Sequence, residues 1–371
     1  DVSPADRGRH LPGARAARQE EHPRAMKAPP SVIARLRGWM TEPMLIVFAV
    51  FGSVPFWISE VGLYPYLGIE VLVFCIYALG FNVLFGYTGL PSFGHGAFFG
   101  IGAYAMGLTQ SHLVANLWIG LLMATLVAAA FGAAVACFIS HRRGIYFALM
   151  TIAFSQLFFF IASKWTSVTG GEDGLLNIRR LPADFGIVTF PLRSNMALYW
   201  FAFACFIVAV VLLWRLVNSP FGRVLQAIKQ NEERVAFLGY DVWLYKWLSF
   251  VLSCAVAGFA GGIFAMGQGG AFVQVMSLQW SSVVVLMVLI GGGLVSFWGP
   301  VIGTVIYFIA RDLLGAYTET WLLWFGLMFM AMVMFNPEGA AGLGANLSRR
   351  LMALRLRAGA ARVGAGGAGR T

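Results

Sequence analysis

Residues 202–214 read AFACFIVAVVLLW and residues 247–266 read WLSFVLSCAVAGFAGGIFAM, and neither stretch contains a charged residue. Between them, residues 219–246 read SPFGRVLQAIKQNEERVAFLGYDVWLYK and carry seven charged side chains. An apolar run of about 20 residues is long enough to cross the hydrocarbon core of a bilayer as a helix. The pattern therefore predicts two membrane-spanning helices that are joined by a polar, helix-prone connection.

The rest of the chain repeats this pattern. Of its 371 residues, 59% are hydrophobic and 11% are charged, whereas soluble chains contain about 25% charged residues. The sequence is therefore predicted to be all-α, a polytopic membrane protein of about ten transmembrane helices. The predicted spans are 44–60, 67–86, 91–109, 118–139, 145–163, 197–215, 247–266, 277–296, 299–314 and 321–336. Eight or nine spans also fit, because 91–109 and 299–314 are short and rich in glycine and can be re-entrant.

The positive charge is concentrated at the two ends of the chain. Residues 1–40 contain eight Lys and Arg against four Asp and Glu, and residues 345–371 contain six Arg and no acidic residue. Residues 41–344 are neutral, so these tails account for the whole net charge of +10. Arg-rich flanks are typical of cytoplasmic segments beside membrane spans. They indicate a lipid membrane as the partner and no nucleic acid, with a transmembrane domain at 41–344 between two basic cytoplasmic tails.

The first 25 residues are rich in Arg, Ala and Pro and contain no apolar core. A secretory signal peptide needs such a core. We therefore expect this segment to be disordered, or to be an upstream extension that the working protein lacks.

Charge placement also predicts the sides of the loops. If the N-terminal tail is cytoplasmic, the alternation of ten spans places residues 141–143 and 219–246 on the cytoplasmic side. Residues 164–196 then lie outside, although they include three arginines. Within this outer loop, residues 169–175 read TGGEDGL, which is either an ordinary external turn or a contact for a partner protein.

The sequence contains no visible catalytic or metal-binding motif. It has no Gly-Lys pair and hence no P-loop, no HExxH motif, and four isolated cysteines without metal-ligand spacing. Proton- and sodium-driven carriers keep ionisable groups deep in the bundle, but here the spans hold few, namely Glu70, His95, Arg311 and Asp312. We therefore predict a protein that is not an enzyme, binds no metal, and takes its driving force from elsewhere.

The polar connection has a helical pattern of its own. Residues 223–238 favour a helix that ends at Gly239. The apolar stripe of this helix comprises Val224, Leu225, Ile228, Val235 and Leu238, and the opposite face comprises Gln226, Lys229, Gln230 and Glu233. Asn231 and Glu232 interrupt the stripe, which also fits two short helices with a bend. The segment is either a surface helix in the lipid headgroups or a docking helix for a groove in a partner.

Residues 86–104, GYTGLPSFGHGAFFGIGAY, contain six glycines. Glycines permit close helix packing, or a broken helix whose backbone amides face a substrate carboxylate. Pro91 favours the broken helix, because a straight packing helix gains nothing from proline. Candidate residues of a substrate path are Asn82, Thr88, Ser92 and His95. Asn82 either bonds across helices or lines the path, and His95 is either a hydrogen-bonded structural residue or a ligand contact.

The opening of this segment has an echo later in the chain. Gly89-Leu-Pro-Ser-Phe93 is similar to Gly293-Leu-Val-Ser-Phe297, and both open a short, glycine-rich span on the same predicted side. Paired, interrupted spans in two halves of a chain point to a binding site between two repeats in transporters.

Four motifs in order along the chain resemble one family, the branched-chain amino acid ABC transporter permeases. They are the SPFGR, QAI, NE and LG elements of 219–239, residues 86–104, TGGEDGL at 169–175, and GPVIGTVIY at 299–307 with NPEGAAGL at 336–343. The resemblance covers residues 78–343. Pro91 and Phe93 depart from the aliphatic pair usual in this family, and Arg234 stands where the coupling loop is often apolar or small.

The resemblance implies partners and roles. A periplasmic binding protein would deliver the amino acid, two permease chains would form the path in the bacterial inner membrane, and two cassette ATPase subunits would bind ATP and Mg, with no cofactor in this chain. Residues 219–246 would be the coupling loop and 164–196 the periplasmic loop. Implied coupling residues are Gly222, Arg223, Ile228, Asn231, Glu232, Leu238 and Gly239. Implied contacts for the binding protein are Gly171, Glu172 and Asp173.

Two alternatives stay open from the sequence. A permease of the same architecture can move urea, short amides or aromatic acids. A self-sufficient ion-coupled carrier or channel is the reading from another class, and it predicts uptake by this chain alone in a proton or sodium gradient.

Overall fold

The structure is a computed structural model, and it describes residues 42–58, 64–184, 189–294, 296–318 and 320–335, together with Gly339 and Gly342. The predicted basic tails, 1–40 and 345–371, lie outside the described residues. The chain divides into two compact units, residues 1–49 and 50–371. The packing described below is that of the second unit.

The described residues form thirteen α-helices and four two-residue strands. The helices are α1 (Glu42–Trp57), α2 (Pro65–Asn82), α3 (His95–Leu108), α4 (Leu117–Ile139), α5 (Gly144–Lys164), α6 (Thr166–Thr169), α7 (Asn195–Asn218), α8 (Pro220–Gln230), α9 (Glu232–Phe237), α10 (Val242–Gln268), α11 (Leu278–Gly291), α12 (Gly299–Tyr317) and α13 (Trp321–Phe335). The strands are β1 (Leu175–Leu176), β2 (Ala183–Asp184), β3 (Thr189–Phe190) and β4 (Gly270–Ala271), paired β1 with β4 and β2 with β3. The predicted all-α class is confirmed.

Each of the ten predicted spans overlaps one of these helices. Six are long and apolar enough to cross a membrane: α4, α5, α7, α10, α12, and α2 with its continuation to Tyr87. α1, α11 and α13 contain shorter apolar stretches. The predicted span 91–109 is shifted along the chain, because α3 begins only at His95 and continues after Leu108 as a π-helical turn, Thr109–Leu113.

Close approach of backbones determines the centre of the bundle, where α2, α3, α4 and α10 pack together. A Cβ on Gly102 of α3 would overlap the backbone of Gly258 on α10, and one on Gly261 would overlap the carbonyl of Phe99. Helices in lipid gain little from the hydrophobic effect against each other, so small residues that permit close van der Waals contact determine which faces meet.

Close backbone contact at glycines also joins α11 to α12. Gly291 faces the carbonyl of Gly299, and Gly303 faces the carbonyl of Met287. Gly299 and Gly303 are four residues apart and therefore lie on one face of α12. This glycine face explains why the motif at 299–307 needs small residues at these two positions.

The connections lie at two ends of the bundle. At one end, which we call the α8–α9 end, residues 86–94, 140–144, 219–241 and 292–294 lie together, as shown by bonds from Lys229 to Gly86 and Leu294 and from Lys246 to Arg142. At the opposite end, residues 109–116, 165–184 and 268–277 are joined by the β1–β4 pair and by Gln110 with Arg179. This grouping matches the predicted alternation of loops, and the side that each end faces stays a prediction.

Candidate functional site

The helix break predicted in residues 86–104 is present in the backbone. After α2, residues Val83–Tyr87 form one π-helical turn. Gly89 has a φ of +77°, a conformation that glycine adopts without strain. The chain then runs through Pro91 without helical structure until α3 begins at His95. A second connection, after α11, contains the later echo of this sequence and precedes α12 at the same end of the bundle. We call residues 86–94 the first break and residues 292–294 with 296–298 the second break.

The backbone amides at the start of α3 are used by the protein itself. The Phe93 amide donates to Thr151 Oγ1 at 3.2 Å, and the Gly96 amide donates to Ser281 Oγ at 3.0 Å. Gly94 lies directly against the carbonyl of Thr151. In this conformation these amides therefore join α3 to α5 and α11, and they do not open into a cavity for a substrate carboxylate.

His95 is held by hydrogen bonds on both ring nitrogens. Nδ1 lies 3.2 Å from Ser92 Oγ, and Nε2 lies 2.7 Å from Ser253 Oγ. The imidazole is fully buried, and its ring packs against Phe81 and Phe250. This geometry supports the structural reading of His95. Thr88 is similarly occupied, since its hydroxyl donates to the Val83 carbonyl at 3.0 Å.

Asn82 is different from the other predicted path residues. Its side chain is buried, with 1% exposed, and neither Oδ1 nor Nδ2 has a hydrogen-bond partner. It lies between Gly86 and Gly293, where an added Cβ would meet its Oδ1. Buried side-chain amides are normally paired. Asn82 is therefore the one of the four candidates whose side chain makes no hydrogen bond, and it lies between Gly86 of the first break and Gly293 of the second.

The polar connection folds as two short helices, as the interrupted stripe allowed. Ser219 accepts from the Gly222 amide at the start of α8. Asn231 adopts an extended conformation and its Oδ1 accepts from the Arg234 amide at 2.9 Å, which makes it the N-cap of α9. The extended backbone of Asn231 ends α8, and its side chain caps the first turn of α9. We call this α8–α9 unit, residues 220–237, the elbow.

The inner side of the elbow packs on the bundle. Ile228 and Val235 are buried against Val242 of α10. Gly222 lies against the carbonyl of Val217, so a larger residue would push α8 away from the end of α7. The predicted coupling residues Gly222 and Ile228 thus face inward and hold the elbow in place.

Glu232 also faces inward, where it makes two ion pairs. Its carboxylate lies 2.6 Å from Arg143 Nε, in the loop between α4 and α5, and 2.9 Å from Lys246 Nζ on α10. The Lys246 side chain is 2% exposed, and its ammonium also donates to the Arg142 carbonyl at 3.3 Å. A pocket of about 410 Å³ opens beside this cluster. Arg143 and Lys246 were not predicted as functional residues, because the sequence near Glu232 does not indicate which distant residues it contacts.

Lys229 joins the elbow to both breaks. Its Nζ donates to the Gly86 carbonyl at 2.7 Å and to the Leu294 carbonyl at 3.2 Å. Partial burial lowers the pKa of this ammonium from its ordinary value. The sequence placed Lys229 on the polar face of the elbow and assigned it no role.

The outer side of the elbow presents large apolar side chains. Phe237 is 90% exposed and Leu238 is 72% exposed. The expectation that Leu238 continues the apolar stripe of Ile228 is wrong, because α9 ends at Phe237 and the chain turns at Gly239, whose φ is +87°. Of the other predicted coupling residues, Arg223 and Asn231 are exposed. Phe237 was missed, although a bulky apolar residue just before a helix stop was visible in the sequence.

At the opposite end, TGGEDGL forms a tight turn. Gly170, Gly171 and Gly174 all have positive φ, with Gly171 buried, while Glu172 and Asp173 are exposed. The turn geometry is confirmed, and the contact with a binding protein stays a prediction.

The positive-inside bias disfavours arginines at this end, but the Arg180 side chain has a structural role here. The Arg180 guanidinium donates to the Arg193 carbonyl at 3.2 Å, to Asn195 Oδ1 at 2.7 Å and to the Gly267 carbonyl at 3.1 Å. These bonds connect the long outer loop to the starts and ends of two spans. A structural guanidinium of this kind explains a positive charge on the predicted outer side.

A second ion cluster lies where the first turns of α2 are close to the last turns of α12. Arg311 Nη2 is 3.0 Å from Glu70 Oε2, and Arg311 Nε is 3.2 Å from Asp312. Gln268 of α10 donates to the other oxygen of Glu70 at 3.2 Å. Of the ionisable residues noted in the spans, Arg311 is therefore paired with both Glu70 and Asp312, while His95 is bonded to Ser92 and Ser253. In the described part of the chain, no group of three or more His, Cys, Asp or Glu could hold a metal ion.

Comparison with known proteins identifies the family. Residues 66–336 match the family described as branched-chain amino acid transport system, permease component. The chain is 29% identical to the high-affinity branched-chain amino acid permeases LivM of Salmonella typhimurium and Escherichia coli, over 72% of this chain and 67% of each relative. It is 26% identical to a probable LivM of Methanocaldococcus jannaschii, over 72% of this chain and 90% of the relative. No solved structure matches. The chain therefore belongs to the family of branched-chain amino acid transport permeases, as its four motifs predicted.

Proposed function

We propose that this chain is the permease subunit of an ATP-binding-cassette importer that moves branched-chain amino acids delivered by a binding protein. The observation that carries the proposal is the elbow. Its inner side is joined to the bundle by two ion pairs and by Lys229, while its outer side presents Phe237 and Leu238. A rigid element with an apolar tip suits a groove in a partner protein. The family match and the LivM relatives supply the substrate class.

The elbow would transmit the movement of the ATPase subunits. Burying a Phe or Leu side chain in a groove contributes about 1.5–3 kcal/mol each, so the tip offers enough energy to hold a partner. Nucleotide-driven closure of the ATPase pair can shift the permease only if the partner binds one permease conformation better than the other. The ion pairs of Glu232 would pass the displacement to α10 and to the α4–α5 loop.

This proposal also assigns the sides and the remaining partners. The α8–α9 end would face the cytoplasm of a bacterial cell, and residues 164–196 would face the periplasm and contact the binding protein through Glu172 and Asp173. A second permease subunit would complete the path. ATP and Mg would bind to the ATPase subunits, since this sequence contains no P-loop.

Reconstitution tests the proposal. The chain is placed in liposomes with a second permease, two ATPase subunits and a binding protein from the same importer, and uptake of labelled leucine is measured. ATP-dependent uptake that requires every component is expected. Uptake by this chain alone in a proton or sodium gradient would contradict the proposal, and competition by urea or benzoate instead of valine would contradict the substrate class.

Phe237→Ser tests the docking surface. Losing a buried phenylalanine should weaken binding of the ATPase subunits about tenfold or more, measured by titrating them onto the permease in detergent. The matched control is Leu113→Ser, which removes a 66% exposed apolar side chain at the opposite end. If both variants bind the ATPase subunits like the unaltered chain, the tip of the elbow is not the docking site, and membrane binding of the elbow becomes the better reading.

Gly239→Leu tests the turn after the elbow. No atom lies within 4 Å of a Cβ added to Gly239, so the cost is conformational and arises from its φ of +87°. A leucine there costs about 1–2 kcal/mol and should change the direction of the chain after Phe237. We expect ATP-coupled uptake to be lost in Gly239→Leu and retained in Gly239→Asn, because asparagine tolerates this conformation. Equal uptake by the two variants would show that the turn has no part in coupling.

A further inference from the structure

The Lys229 ammonium has an unusual set of partners. It bonds to the carbonyl of Gly86, in the π turn that follows α2, and to the carbonyl of Leu294, in the connection that follows α11. The ion pairs described at this end of the bundle are made instead by Glu232 with Arg143 and Lys246. Lys229 thus connects the elbow to both breaks through main-chain atoms.

The chemistry of these bonds suits a lysine. Carbonyl groups at the C-terminal end of a helix lack intrahelical partners and carry the negative end of the helix dipole. Gly86 provides such a carbonyl, and an ammonium with three donors can bond to it and to the Leu294 carbonyl, in the turn after α11, at the same time. The aliphatic stem also has a fixed course, since it passes over Gly89, where an added Cβ would lie 2.9 Å from Lys229 Cγ.

The segments that Lys229 joins enclose Asn82. The side chain of Asn82 lies between Gly86 and Gly293, and it is buried without a hydrogen-bond partner. Gly86 is bonded directly by Lys229, and Gly293 adjoins Leu294, the other bonded residue. A displacement of α8 that keeps the two bonds must therefore move both walls around Asn82.

We infer that Lys229 is a positioning residue that ties the two helix breaks to the elbow, so that movement of α8 changes the spacing of the breaks around Asn82. The inference rests on the proposed function and deepens it: Glu232 connects the elbow to α10, and Lys229 connects it to the substrate path. Without Lys229, the elbow would still bind the ATPase subunits, but its movement would not reach the breaks.

The test uses the complete reconstituted importer with Lys229→Met, which keeps the stem and removes the charge and donors. ATP hydrolysis stimulated by the binding protein should stay within about twofold, while leucine taken up per ATP hydrolysed should fall about tenfold or more. Lys229→Arg should recover part of this ratio, because it restores a cation at the same position. Arg193→Met is the matched control, since it removes an exposed cation of the opposite end and keeps the backbone carbonyl that Arg180 contacts, and it should leave the ratio unchanged.

Hydrogen exchange in the assembled importer gives a readout that does not depend on transport. In Lys229→Met, the amides of residues 86–94 and 292–294 should exchange faster, while those of 109–116 should not change. An unchanged uptake ratio, or faster exchange at both ends of the bundle, would overturn the inference and leave Lys229 as a general contributor to stability. Absence of ATP-driven uptake in the unaltered importer is a separate result, which would overturn the proposed function itself.

Discussion

Glu232→Lys is expected to abolish ATP-driven uptake by the assembled importer while the chain stays in the membrane. The substitution replaces the one carboxylate between Arg143 and Lys246 by a third cation. Because the Lys246 side chain is 2% exposed, losing its partner leaves a buried charge uncompensated, which costs about 3–5 kcal/mol. The substitution therefore weakens the attachment of the elbow to α10 and to the α4–α5 loop by about this amount. The contacts among α2, α3, α4 and α10 involve other residues, so insertion should be preserved.

Glu233→Lys is the matched control for this prediction. It makes the same change of charge at the next position, where the side chain is exposed, so uptake should stay within about twofold of the unaltered chain. Uptake of labelled leucine in proteoliposomes and the amount of chain in the membrane are measured for both variants. Adding Lys246→Glu to Glu232→Lys restores opposite charges and should recover part of the uptake. Normal uptake by Glu232→Lys would show that the elbow transmits nothing through this cluster.

Gly303→Ala is expected to destabilise the packing of α11 against α12. A methyl group at this position overlaps the carbonyl of Met287, and the backbone of Gly291 lies on the same side. Main-chain atoms cannot rotate out of the way, so α11 and α12 must separate, and overpacking of this kind costs about 1–3 kcal/mol. The close contact of Gly291 with Gly299 would be lost as well. The expected result is a lower melting temperature in detergent and a lower yield of folded chain.

Gly315→Ala provides a control on the same helix. Nothing lies within 4 Å of a Cβ added to Gly315, and alanine favours a helix over glycine by about 1 kcal/mol. Its melting temperature should therefore be equal to that of the unaltered chain or slightly higher. If Gly303→Ala melts at the temperature of Gly315→Ala, the two helices do not depend on a glycine contact.

Much of the architecture followed from local sequence. Apolar runs of the right length predicted the helices, because a chain in hydrocarbon must satisfy its own backbone hydrogen bonds. Pro91 and the glycines around it predicted the break before α3, and Asn231 predicted the bend in the elbow, since both effects arise within a few residues. Four short motifs predicted the family, which the match over residues 66–336 confirmed.

The functional side chains were harder to predict, because their partners lie far away in the chain. Glu232 was implied as a coupling residue, but nothing near it in the sequence indicated that it lies inward against Arg143 and Lys246, residues that are 89 and 14 positions away. Leu238 was assigned to the apolar stripe on the assumption of one continuous helix, and the end of α9 exposes it instead. A helical pattern predicts on which side of the helix each residue lies, but it does not predict which other element packs against that side.

The sequence by itself determined the class of this protein, its helices, the breaks between them and its family, since hydropathy, turn residues and motifs are local properties. Only the tertiary structure decided that Lys229 bonds to both breaks, that Glu232 joins three elements, and that Asn82 is buried without a partner between two glycines. Those facts depend on how closely separate helices approach. That distance depends on the side chains of both helices in a contact, whereas a local sequence pattern describes only one of the two helices.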